Sequence, residues 1–303
     1  MDTAFIILRQ TVIMFIYMAI GFGLYKKGLV TKEGSKSMAH LLLYCILPCI
    51  VIKSFYKERT AENELGLLVS MGLAVLILLI SMLASLLLFK KRPIDNFAAA
   101  FSNAGFMGFP LISATLGSEA VFYAAGFVAL LNALQWTYGQ AVLSGDRKKC
   151  SFGAVVKNPL VVSLVVGVAL FFTQMKLPSI VVDTIGSVSN LNAPIAMIIL
   201  GVYLAQTDIA SMFGDGALYF VSIVRLALIP VITIFLLLPF AKSYSVICTT
   251  LLLASCAPIG SNVAVYAQKL DKDYVYAVKT VCLSTLMSII SMPLVVMLSQ
   301  MVW

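Results

Sequence analysis

Ten apolar stretches follow one another along the chain, near residues 3–25, 38–56, 65–89, 97–117, 120–143, 158–174, 179–205, 213–240, 245–268 and 274–300, each bounded by charged or turn-forming residues. A bilayer crossing takes about 20 apolar residues as an α-helix and about ten as a barrel strand. The runs are too long for barrel strands and lack the apolar and polar alternation of a lipid-facing barrel wall. Only helices and closed barrels satisfy their own backbone in hydrocarbon, so the expectation is an all-α integral membrane protein of ten transmembrane helices. Composition agrees: 61% of the 303 residues are hydrophobic and 11% charged, whereas a soluble domain carries about a quarter charged residues. A water-soluble globule is excluded, and no stretch is long enough for a separate soluble domain. The first run follows Met1-Asp2-Thr3 without a basic leader and exceeds a secretory signal core, so it is expected to be retained.

The formal net charge of +8 does not point to nucleic acid, because the excess sits in short connections. Lys and Arg counted in alternate connections give thirteen on one side and six on the other. The positive-inside rule makes the thirteen cytoplasmic and leaves both termini outside. Six cysteines show no C-x-x-C spacing, and five of them lie inside apolar runs as small packing residues, so no disulfide framework is expected. His40 is the single histidine, and nothing stands at metal-ligand spacing. No metal, cofactor or catalytic constellation is therefore expected, and the chain is not read as an enzyme.

A basic connection from Gly145 to Lys157 divides the ten runs into two sets of five. An odd number per set inserts the second upside down, which is an inverted repeat. Pro48 and Pro194 are 146 residues apart, and Pro110 and Pro258 are 148 apart, so the second and fourth helices of each set are expected to carry a break. Prolines interrupting corresponding segments of two halves point to a transporter's binding site, although proline is common in membrane helices for other reasons.

The fourth run reads Phe101-Ser102-Asn103-Ala104-Gly105-Phe106-Met107-Gly108-Phe109-Pro110, and the ninth Ser255-Cys256-Ala257-Pro258-Ile259-Gly260-Ser261-Asn262. Proline removes a backbone donor and clashes with the preceding turn, so both helices are expected to break. Two half-helix N-termini, at Gly108 to Pro110 and Pro258 to Gly260, would then face each other and form an anion site. Asn103, Ser261 and Asn262 would add hydrogen bonds, or would serve only to join helices. Asn132 and Gln135, three apart on the fifth helix, form a polar stripe open to the same two readings. Arg225 is the one charge deep in an apolar run; it would either neutralise an anionic substrate or bond free carbonyls of neighbouring helices. No Asp or Glu sits centrally in any run, which disfavours a carboxylate-based proton antiporter. Sodium held by carbonyls and Ser or Asn oxygens stays open.

Asn103 to Pro110 (N-A-G-F-M-G-F-P) and Ala257 to Ala267 (A-P-I-G-S-N-V-A-V-Y-A) resemble the two broken-helix signatures of the auxin efflux carrier family. Ala193-Pro194 with Ile198 to Ala205 resembles its seventh helix, and Ser284-Thr285-Leu286 with Met292-Pro293-Leu294 its last. The family comprises plant auxin exporters and bacterial permeases assigned to malonate, malate and related organic acids. The resemblance implies the crossed fourth and ninth helices of the sodium/bile-acid symporter and sodium/proton antiporter type. It also implies a scaffold at 1–56 and 158–206 (helices 1, 2, 6 and 7), which dimerises, and a transport unit at 65–145 and 213–300 that slides as an elevator. Only about fifteen residues join the fifth and sixth helices, where plant members carry a large regulatory loop, so the compact form resembles bacterial members and implies the bacterial plasma membrane.

The expectation is thus a secondary transporter of small organic anions, mono- or dicarboxylates, working by alternating access. Two alternatives are a sodium-coupled symporter of the bile-acid type and a sensor that keeps the fold without transport. A channel is disfavoured, since no segment offers a charged ring or carbonyl filter.

Overall fold

The computed structural model describes residues 3–145 and 156–303. Most of the basic midpoint connection, including Arg147, Lys148, Lys149 and Cys150, lies outside them. All elements among the described residues are helical. Seven helices are long and apolar enough to cross a membrane: Phe5–Lys26, Lys32–Phe55, Ala61–Leu88, Ser118–Ser144, Ser179–Ala205, Gly216–Ala241 and Tyr274–Val302. Ala104–Leu116, Pro159–Thr173 and Ser245–Cys256 are shorter apolar helices.

Side chains are sorted for a lipid solvent. In Ala61–Leu88, Ser70, Ser81 and Ser85 are buried while Leu68 and Leu87 stand more than 70% exposed. Two of these hydroxyls are satisfied within the helix, Ser70 donating to the Leu67 carbonyl at 2.9 Å and Ser85 to the Ser81 carbonyl at 2.6 Å. Polar groups inside and leucines outside reverse the arrangement that water selects. Helices Thr3–Lys26 and Asn192–Ala205 pack backbone to backbone. A Cβ on Gly21 would collide with the Ile198 carbonyl, and one on Gly201 with that of Met18.

Several boundaries differ from the sequence expectation for physical reasons. The second helix starts at Lys32 rather than near 38, because the Thr31 side chain accepts from the Gly34 N–H at 3.0 Å and caps a polar first turn. Pro48 and Pro110 do not break their helices. Each is the second residue of a helix that continues from a π turn, Leu42–Ile46 before Pro48 and Ala104–Gly108 before Pro110. Val224–Leu228 precedes Pro230 in the same way. The wider turn moves the preceding carbonyls away from the proline ring and accommodates its missing donor. At Pro194 the interruption is confined to Asn190 and Leu191, between helices Ser179–Ser189 and Asn192–Ala205. Two interruptions are complete, Phe101 to Asn103 and Ala257 to Ser261.

Candidate functional site

The two complete interruptions meet. Asn103 N–H donates to the Pro258 carbonyl at 2.7 Å and Gly260 N–H to the Phe101 carbonyl at 3.0 Å, with Ser102 and Ile259 paired as an antiparallel bridge. Three further bonds complete the junction. Ser102 Oγ donates to the Ala254 carbonyl at 2.8 Å, Ile259 N–H donates to Ser284 Oγ at 3.2 Å, and Thr233 Oγ1 and Ser255 Oγ share a bond of 3.1 Å. Backbone released from a helix inside a membrane must be satisfied by protein or water, and here each strand-like stretch satisfies the other. Gly260 is required by this approach: a Cβ there would lie 3.1 Å from the Ser102 carbonyl oxygen and 3.3 Å from that of Phe101.

Arg225 supplies the rest. It is 1% exposed and donates through Nε to Ala257 O at 3.3 Å, through Nη1 to Ala99 O at 3.0 Å and Ala100 O at 3.4 Å, and through Nη2 to Ser255 O. These carbonyls end the two half-helices Pro93–Ala100 and Ser245–Cys256, whose last turns have no intrahelical donors and carry negative dipole ends. One guanidinium caps both. Of the two roles open to Arg225 in the sequence, the structure realises the bond to carbonyls, and the residue lines none of the cavities at the junction.

On the opposite side of the junction the second half-helices begin. Asn103, Gly260, Ser261 and Asn262 line a slot of about 20 Å³ together with Asn132 and Gln135 from the fifth helix. Asn262 Nδ2 donates to Gln135 Oε1 at 2.7 Å and to Asn132 Oδ1 at 3.5 Å, and Asn132 Nδ2 donates to the Val128 carbonyl at 2.8 Å. Asn103 is 4% exposed, and its Nδ2 has no hydrogen-bond partner among the described residues. A buried amide donor left unpaired costs about 1–3 kcal/mol, which an acceptor entering the slot would recover.

Gly108 and Pro110 lie elsewhere. The first half-helix of the pair starts at Ala104, because the interruption is set by Phe101 to Asn103 and not by the proline downstream. Gly108 packs against Ala104 and Ala254, and Pro110 lines a separate cavity of about 490 Å³. Pro258 sits within the junction as an acceptor through its carbonyl.

The helix Lys32–Phe55 passes all three spaces. Its Lys32 to Leu43 stretch lines a cavity of about 240 Å³, Leu43 and Leu47 line the slot, and Ile50, Lys53 and Ser54, with Tyr56 and Lys57 just beyond the helix, line the 490 Å³ cavity. From His40 to Ile50 is about 15 Å along a helix, so the two cavities lie on opposite sides of the slot. Phe106, Ser261 and Asn262 line both the slot and the 240 Å³ cavity, while the 490 Å³ cavity shares no lining residue with the slot.

Sequence reasoning did not single out Asn192, Phe106 or the basic residues of the smaller cavity. Asn192 Nδ2 donates to the Gly105 carbonyl at 3.1 Å. In the π pattern Pro110 would have been the donor to that carbonyl, so Asn192 replaces the N–H that proline lacks. Its position next to Ala193-Pro194 was the available signal. Asp95, just outside the fourth apolar run, is buried at the outer end of its half-helix, where Tyr276 Oη donates to Oδ1 at 2.8 Å. Among the described residues no cluster of metal-ligating side chains occurs.

Comparison with known proteins places the chain in a functional class. The profile of a family described as "Membrane transport protein" matches residues 6–155 and 149–296. An "Uncharacterized transporter" of Methanothermobacter thermautotrophicus strain Delta H is 26% identical over 298 residues, which cover 92% of this chain and 94% of that one. A "Putative malonate transporter" of Rhizobium meliloti strain 1021 is 26% identical over 269 residues, covering 82% of each. With multiple membrane-length helices and a family match over nearly its whole length, this chain belongs to the membrane transport protein family of the auxin efflux carriers.

Proposed function

We propose that this chain is a secondary transporter of small organic anions, mono- or dicarboxylates, working by alternating access. The observation that carries the reading is the slot. Two half-helices begin at it, four amide side chains converge on it, and the Asn103 Nδ2 donor is buried there without a partner. Helix N-termini and amide donors suit a carboxylate, and cavities on either side of one slot suit a site served from two faces. In this arrangement the ten apolar segments form a 5+5 inverted repeat around crossed helices. Residues 1–56 and 158–206 serve as a dimerising scaffold, and 65–145 with 213–300 slide as the transport unit. Both termini lie outside the plasma membrane.

The substrate contacts are Asn103, Asn132, Gln135, Gly260, Ser261 and Asn262. Arg225 acts through the backbone that it caps. That cap also favours uncoupled transport over the bile-acid type of symport, since the half-helix carbonyls that would coordinate sodium are occupied by the guanidinium. The name of the Rhizobium relative supports a dicarboxylate.

Purified protein in liposomes should exchange labelled malonate or succinate for unlabelled acid, equally in sodium and in choline medium. Asn103→Ala and Asn262→Ala should each lower that exchange about tenfold or more, the loss of one charge-assisted hydrogen bond, with thermal stability retained. Wild-type exchange of no organic acid across a panel overturns the transport reading. Undiminished exchange by both variants overturns the site.

A further inference from the structure

The cavity that opens onto the slot carries one sign of charge. Lys32, Lys36 and His40 are spaced four apart and occupy one stripe of their helix, facing that cavity. Lys269 faces it from the last turn of Asn262–Lys269. No carboxylate lines it, and none of these lysines forms an ion pair among the described residues. The 490 Å³ cavity on the other side differs in holding an acid: of its two lysines, Lys53 and Lys57, the second is paired with Glu119 at 2.8 Å, and all three residues line it.

Local roles account for part of this set. Lys32 lies over the Tyr274 ring at 5.1 Å from its centroid, and a lysine in a last helical turn favours the dipole. Neither accounts for Lys36, nor for the absence of an acid from a lining that holds three lysines. A concave surface of one charge sign gathers ions of the opposite sign. Asn262 at the slot and Lys269 are seven residues apart on one helix, about 10 Å along its axis. A four-carbon diacid and a lysine side chain reaching toward it span that gap together.

We propose that Lys36 and Lys269 form a second anion subsite, holding the distal carboxylate of a dianion whose first carboxylate sits in the slot, so that the carrier selects dianions over monoanions of equal length. This rests on the transport reading above and deepens it. The test compares succinate with butyrate, four carbons each, by counterflow in liposomes of phosphatidylcholine alone. In K36Q/K269Q the KM for succinate should rise about fivefold at low ionic strength. The maximal rate should stay as in wild type, and the KM for butyrate, with half the charge and no distal carboxylate, should rise by clearly less than that for succinate. High salt should remove the difference, since exposed charges are screened, and K36R/K269R should behave as wild type with succinate. An unchanged succinate KM in the glutamine variant, or an equal shift for butyrate, overturns the proposal. A difference that emerges only after phosphatidylglycerol is added also overturns it, by assigning the lysines to lipid headgroups. Thermal unfolding of each variant separates misfolding from lost affinity. A wild-type protein that moves neither acid overturns this inference, and one that moves no organic acid across the panel refutes the transport reading with it, both distinct from a wild type that moves succinate and a variant that does so equally well.

Discussion

The two interrupted helices reach the same geometry by different local means. In the 245–269 segment the proline lies inside the break, and Ala257 before it takes the extended backbone (φ −58°, ψ 150°) that a following proline ring imposes. In the 93–116 segment the proline lies seven residues beyond Asn103 and is absorbed by a π turn, while the non-helical stretch is Phe101-Ser102-Asn103, with Phe101 extended (φ −119°, ψ 119°). What the two share is tertiary: each supplies backbone partners to the other, and Arg225 closes the carbonyl ends of both. A break inside a membrane is therefore set by where its released hydrogen-bonding groups find partners, and proline is one way among several to release them.

The strongest way to break this shared arrangement is to remove its common cap. Arg225→Leu strands carbonyls on both half-helices, at about 1–3 kcal/mol for each buried acceptor. The variant should fail to accumulate folded, or should unfold more than 10 °C below wild type in detergent, by the order of shift that several kcal/mol produce. Arg225→Lys should recover only part of this, because a point ammonium lacks the planar fork that reaches both ends. A melting temperature within two degrees of wild type for Arg225→Leu, well inside the shift expected of about 1 kcal/mol, would show that the breaks do not depend on it. Glycine substitution sharpens the contrast. Gly260→Val forces side-chain atoms against the Ser102 and Phe101 carbonyls and should cost about 1–3 kcal/mol. Gly108→Ala, whose Cβ meets its neighbours at 3.5 Å and 3.6 Å, should cost less than about 1 kcal/mol. Equal losses in chemical or thermal unfolding would erase the distinction between a junction glycine and a packing glycine. The smallest effect is expected of Pro110→Ala, about 0.5–1 kcal/mol in either direction, because Asn192 already serves the carbonyl that the proline leaves free. A large loss would mean that proline itself holds the π turn.

Much of the fold was legible because lipid imposes a length and a backbone rule that few sequences satisfy by accident. Every apolar run is helical among the described residues, and the two complete interruptions fall on the fourth and ninth runs, with a minor one at Asn190 and Leu191 in the seventh. The exact position of the first was not legible. Period and proline content point to Pro110, whereas the pairing of Asn103 with Pro258 spans more than 150 residues and leaves no local trace. Three π turns each end two residues before a proline, at Pro48, Pro110 and Pro230, a pattern that a 3.6-residue period cannot reveal. Asn132, Gln135 and Asn262 were nominated from two separate helices and do meet, since amides in an apolar run have few places to go except toward each other. Lys32 and Lys36 precede the apolar run that starts near residue 38, and the Thr31 cap that makes them helical carries no apolar signal.

The glycine contact between the first helix and Asn192–Ala205 constrains how the molecule can deform. Gly21 faces the Ile198 carbonyl and Gly201 faces that of Met18, so each rod notches the other. A screw displacement of one by a single residue, about 1.5 Å of rise with about 100° of turn, would drive a bulky neighbour such as Phe22 or Ile20 into a peptide oxygen. That pair is a keel, fixed in register, and in the elevator arrangement proposed above the transport unit would run against it.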